Sequence, residues 1–126
     1  MRPILLLSLL LSSAGLPLSA HHSFAAEYDG QKPVTVTGTV TQLDWRNPHA
    51  YIYLDVKDES GAVRSVIVEG HPPNILRRTG WGKEIIKVRD SITIEGWASK
   101  DGSNRMAGRQ VTLSGGNKLY WGPPSQ

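Results

Sequence analysis

Along this chain the hydrophobic residues first run together and then alternate. Ile4 to Leu11 is an apolar block broken only by Ser8; it follows the single positive charge of Arg2 and ends in Ser12-Ser13-Ala14-Gly15 and Pro17. Leu18-Ser19-Ala20 then offers a small residue for cleavage, so residues 1–20 read as a secretory signal peptide. The block falls well short of the roughly 20 apolar residues that a membrane-spanning helix needs. The mature protein is therefore expected to be periplasmic or secreted, starting at His21 and without a membrane span.

After a polar stretch at 21–33, expected to be an N-terminal arm, the period becomes two. Val34, Val36 and Val40 alternate with Thr35, Thr37, Thr39 and Thr41, a β-branched pattern that predicts a strand, with Gly38 expected to mark a bulge or a sharp coil. Arg46-Asn47-Pro48 predicts a turn. Ala50, Ile52, Leu54 and Val56 then line one side of a second strand and Tyr51, Tyr53 and Asp55 the other. Lys57 to Gly61 forms a loop, and Val63 to Glu69 a third strand, making a hairpin. If its turn centres near Ser60, the numbers of facing residues sum to roughly 120.

His71-Pro72-Pro73-Asn74 leads into a helical turn or two at Ile75 to Arg78, stopped near Gly80, with Trp81, Ile85 and Ile86 as packing partners. Ser91 to Ala98 is a fourth strand, Lys100 to Ser103 a turn, and Ala107 to Leu113 a fifth strand. Residues 122–126 are expected to be a flexible tail. The order predicts an all-β domain over 34–121: a small five-stranded OB-fold-like barrel with a short helix between strands 3 and 4, an open sandwich of the same strands being the alternative.

Composition narrows the function classes. Of the 126 residues, 106 remain after residue 20, enough for one domain, and loss of Arg2 lowers the formal charge from +3 to +2. No clustered basic face is present, so nucleic acid is not an expected partner. The chain has no cysteine, which removes disulfides and thiolate ligands and leaves nitrogen and oxygen for any metal.

Three segments, His21-His22-Ser23-Phe24-Ala25-Ala26-Glu27-Tyr28-Asp29, Trp45-Arg46-Asn47-Pro48-His49-Ala50 and Lys100-Asp101-Gly102-Ser103, resemble a family of small exported bacterial proteins of unknown function. The resemblance spans essentially the whole mature chain and implies export and a barrel, with no activity attached. Arg89-Asp90 departs from it, since such proteins often carry Gly-Asp before the fourth strand.

The four histidines are the first candidates for chemistry. A terminal His21 can chelate a metal through its α-amine and ring nitrogen together, with His22 beside it. Hairpin arithmetic sets His49 opposite His71 at the open end of strands 2 and 3, on the face that carries Tyr51 and Tyr53. Nitrogen ligands without sulfur favour copper, then nickel or zinc. The plainer reading of the same residues is a turn whose His49 satisfies a backbone carbonyl and a His71 that merely leads to the helix. A different class of function uses Trp45, Tyr51, Tyr53 and Ile67 as a ligand face for a glycan, peptide or protein partner, with packing beneath Phe24 and Tyr28 as its structural alternative. No nucleophile elbow, phosphate loop or dinucleotide fingerprint is present, and no enzyme is expected. Glu69 beside His71 satisfies the spacing of an acid–base pair and nothing more.

Overall fold

The computed structural model describes residues 24–122; the signal peptide expected over 1–20, His21, His22 and residues 123–126 lie outside the described residues. Eight elements follow in order. They are α1 (Phe24–Glu27), β1 (Tyr28–Asp44), β2 (Tyr51–Lys57), β3 (Val63–Glu69), α2 (Pro73–Arg78), β4 (Ser91–Ser99), β5 (Arg105–Thr112) and β6 (Lys118–Tyr120). The strands form one mostly antiparallel sheet in the order β3-β2-β1-β4-β5-β6, and β3 also pairs with β5 in parallel. Among the described residues no helix is long and apolar enough to cross a membrane.

The hairpin follows its alternating pattern. Pairs run from Tyr51↔Glu69 to Lys57↔Val63, each summing to 120 as the turn position dictates. Ile52, Leu54, Val56, Val66 and Val68 turn into the core, while Tyr51, Tyr53 and Ile67 stay half-buried on the other face. Each such aliphatic side chain contributes roughly 1.5–3 kcal/mol by leaving water.

The N-terminal segment differs from the expected arm. From Tyr28 it belongs to β1, pairing Tyr28↔Ser99 and, after an irregularity, Pro33↔Trp97 on β4. Phe24 packs edge-on against Trp97 and tilted against Tyr28, which gives this polar stretch two aromatic anchors that periodicity does not register. Further along, β1 turns from β4 to β2, Thr39 facing both Ser91 and Asp55. The bulge lies between Val40 and Gln42, not at Gly38. Gly38 serves close approach instead: a Cβ there would stand 2.6 Å from the Asp55 carbonyl oxygen. Arg89, the departure from the family pattern, adopts φ 81°, a left-handed conformation that glycine takes at less cost.

A cluster of Trp45, Trp81 and Trp121 fills one region of the core, with ring centroids 5.0–6.2 Å apart. Trp121 is fully buried, and Gly70 and Gly108 make room for its ring, since a Cβ at either would overlap it. It follows β6, a three-residue strand too short to show a period, paired with β5 through Val111↔Leu119. Gly122, expected in the tail, is buried against His71. The helix α2 carries Pro73 in its first turn, where the missing N–H costs nothing, and buries Leu76.

Candidate functional site

The open end of the β2–β3 hairpin gathers polar side chains from four parts of the chain. Glu69 ends β3 on the same face as Ile67, where a carboxylate would ordinarily meet water, yet it is only 5% exposed. Tyr28 from the start of β1 donates its hydroxyl hydrogen to Glu69 Oε2. Arg105 from the start of β5 brings Nη2 within 3.5 Å of the same oxygen. His49, just before β2, places Nε2 3.6 Å from the other oxygen, Oε1. Tyr51 completes the group as the cross-strand partner of Glu69, with the Arg46 and Arg105 guanidinium carbons 5.6 and 6.0 Å from its ring centre.

Charge follows from this geometry. Burial, and next the bond to the Glu69 carboxylate, push the Tyr28 phenol well above its ordinary value, so it remains a donor at any physiological pH. Burial and the nearby Glu69 charge also raise Tyr51. The carboxylate is compensated as a buried charge requires, by one guanidinium and a hydroxyl donor.

The backbone continues the hairpin one rung past Glu69: Gly70 N–H donates to Ala50 O and Ala50 N–H to His71 O. His49 and His71 therefore flank the same rung. Their rings part company. His49 sets Nδ1 3.1 Å from the Gly70 carbonyl, so it satisfies a backbone carbonyl as the plainer reading has it, and turns Nε2 to Glu69. The His71 ring packs against Gly122 and stands 5.8 Å from the Tyr120 ring, while the His71 backbone N–H donates to Trp121 O. Burial first, and the charge of His49 second, hold the His71 ring below the ordinary imidazole value and keep it neutral at pH 7. Neutral imidazole is the form that binds metal. Among the described residues no three His, Cys, Asp or Glu side chains gather closely enough to hold an ion by themselves.

The ligand face loses one member. Tyr51, Tyr53 and Ile67 do share a half-buried row, but Trp45 packs against Trp81 and Trp121 in the core, its indole N–H buried without a partner. Asp44, the last residue of β1, is the one that faces Tyr51, and Trp45 follows it. Phe24 does not cover the tyrosines either; its ring contacts are Tyr28 and Trp97. The N-terminal segment is fastened elsewhere, because Lys100 donates through its backbone N–H to Glu27 O and through Nζ to Ala25 O. A cleft of about 330 Å³, lined by Glu27, Tyr28, Lys100, Asp101 and Arg105 among others, runs beside this fastening.

Sequence reasoning missed Tyr28 and Arg105 and gave Glu69 no partner in space. Tyr28 and Glu69 are 41 residues apart, and neither carries a local signal of the other. The one available hint was a lone acid closing an otherwise apolar strand end.

A family model described as a family of unknown function (DUF6152) matches residues 9–115. No curated protein matches the chain.

Proposed function

The chain belongs to the family of unknown function DUF6152, and from that premise we propose that it is an exported binding protein, periplasmic or secreted, that holds a divalent metal ion. The ion is copper before zinc by ligand type, bound by His21 with His49 or His71 and with His22 nearby. The observation that carries this reading is the pair of imidazoles flanking one rung of the hairpin, one oriented through Nδ1 by a backbone carbonyl and one kept neutral by burial. A backbone carbonyl that fixes the ring and leaves Nε2 free is the usual support of a metal-binding histidine.

Two features support the rest of the reading. The pairings β1–β2, β2–β3, β3–β5, β5–β4 and β4–β1 make a ring, with α2 between β3 and β4, and this supports reading the sheet as an OB-like barrel with β6 as an addition. The segment that would bring His21 to the open end is fastened at Phe24 to Glu27 beside Tyr28, which touches Glu69. The role is that of a binding module and not of an enzyme.

Calorimetric titration of Cu(II) and Zn(II) into signal-cleaved protein with a verified His21 start tests the reading. One-to-one binding is expected, and it should be lost in a His49→Ala/His71→Ala variant. Absence of binding, or binding that survives the double change, overturns it. The second reading, a glycan, peptide or protein partner on the Tyr51/Tyr53 face, is favoured by the two guanidinium groups set against Tyr51 in a half-buried aromatic row. Such binding should resist chelators and fall with Tyr51→Ala or Tyr53→Ala.

A further inference from the structure

We propose that the cleft beside the N-terminal fastening is a second binding site, for a zwitterion of amino-acid or dipeptide size, with its carboxylate on Arg105 and its ammonium between Glu27 and Asp101. The site uses none of the histidines and stands apart from the metal reading.

Two stretches of chain that meet only in the fold build its walls. Glu27 ends α1 and Tyr28 begins β1, while Lys100, Asp101 and Ser103 come from the turn after β4, and Arg105 opens β5. The Lys100 N–H donates to the Glu27 carbonyl oxygen at 2.9 Å and ties one wall to the other, so the walls need little ordering when a ligand enters. The cleft holds about 330 Å³, at the small end of the ~300–1,000 Å³ typical of ligand pockets. That suits one or two residues, not a long chain. Four of the lining side chains carry charge: Lys100 and Arg105 are cations, Glu27 and Asp101 carboxylates.

Opposite charges around so small a space would ordinarily pair. Among the described residues no ion pair joins these cations to these carboxylates. Other partners hold them. Lys100 Nζ donates to the Ala25 carbonyl, a neutral group that leaves the ammonium charge uncompensated. Asp101 accepts the Ser103 N–H at 2.9 Å, again from a neutral group. The Ser103 hydroxyl, with that N–H behind it, holds the Asp101 carboxyl well below the usual carboxylate range, at about 2, so it stays ionised. Arg105 sets Nη2 3.5 Å from Glu69 Oε2, and its side chain is 43% exposed. A guanidinium has further N–H donors beyond the one turned to Glu69, and its planar fork can take a second carboxylate through two parallel bonds.

The charge balance selects the ligand. A simple anion would meet Glu27 and Asp101 along with the two cations, and a simple cation would meet Lys100 and Arg105 along with the two acids. Either gains little. A molecule that carries an ammonium and a carboxylate a few bonds apart compensates both sets at once, as a free amino acid or a short peptide does.

Titration of L-alanyl-L-alanine into signal-cleaved protein in the presence of EDTA, followed through the amide NMR signals of residues 99–103, tests this. Saturable shifts at those amides are expected. The N-acetylated dipeptide lacks the ammonium and the dipeptide amide lacks the carboxylate; each should bind about tenfold more weakly or worse. Free L-alanine is the second zwitterion, and the tighter of the two fixes the length of the ligand. A Glu27→Gln/Asp101→Asn variant, altered outside the core, should fold as wild type does and bind the dipeptide at least about tenfold more weakly. If it does not fold, the blocked dipeptides decide the matter on wild type. Absence of shifts with both zwitterions, blocked forms that bind as tightly as the dipeptide, or full binding by the folded variant overturns the proposal. None of these results touches the metal reading, since EDTA removes metal throughout.

Discussion

At the closed end of the β2–β3 hairpin, the Asp58 carboxylate accepts from Ser60 N–H at 2.8 Å, Ser60 Oγ at 2.6 Å and Ala62 N–H at 3.0 Å. At the open end, the Glu69 carboxylate is held by Tyr28 and Arg105, residues 41 and 36 positions away, with His49 Nε2 3.6 Å from its other oxygen. Both ends rest on one acid, but their surroundings differ. Asp58 bonds neighbours within four residues, in water, with every partner supplied by the turn itself. Glu69 has been taken out of water, and its compensation comes from strands that meet only when the sheet is assembled. A local turn can form by itself and needs no other role, whereas a buried carboxylate assembled from afar is costly to keep and is where chemistry is expected.

Substitutions at the two ends should separate them. The largest effect is expected at Gly70, next to Glu69: Gly70→Ala puts a methyl group into the buried Trp121 ring and should destabilise by about 3 kcal/mol or more, read from chemical denaturation. A Gly70→Ala protein as stable as wild type would mean that the open end adapts freely, contrary to the packing around Trp121. Next, Tyr28→Phe removes the hydroxyl donor from a buried carboxylate and should cost about 1.5–3 kcal/mol in the same measurement. A loss near zero would show that Arg105 alone suffices for Glu69.

The smallest effect is expected at the closed end. Asp58→Asn should barely move the melting temperature at neutral pH, because the turn is exposed and the amide oxygen can still accept. Its pH dependence has a definite sign. The Ser60 hydroxyl, with the backbone N–H groups behind it, holds the Asp58 carboxyl below its ordinary value in the folded protein. The contribution is therefore present above the ordinary carboxylate range and is lost as the pH falls through the lower, folded value. The small gap between wild type and Asp58→Asn should close in acid; a gap that widens there would contradict the assignment.

The same contrast governs what could be read in advance. The closed end, its register and the buried faces of β2 and β3 are legible from alternation and turn chemistry, and the Ala50 bonds with Gly70 and His71 put His49 and His71 at the same end of the hairpin. The open end is only half legible. Spacing brings the histidines together but cannot say that their rings turn apart, His49 to Glu69 and His71 to Tyr120. Trp45 was expected on the tyrosine face because it precedes β2, and it packs half-buried against Trp81 and Trp121 at the edge of the core instead.

By itself the sequence determined β2, β3 and the hairpin they form, because period-two burial and local turn bonds depend on residues a few positions apart. It also narrowed the donor types open to a metal, because a chain without cysteine offers no thiolate. The tertiary structure alone decided that Glu69 is buried, that Tyr28 and Arg105 share one of its oxygens, and that the other faces His49 across 3.6 Å. The physical reason is that burying a charge is a balance struck among distant groups, and no stretch of sequence contains more than one side of it.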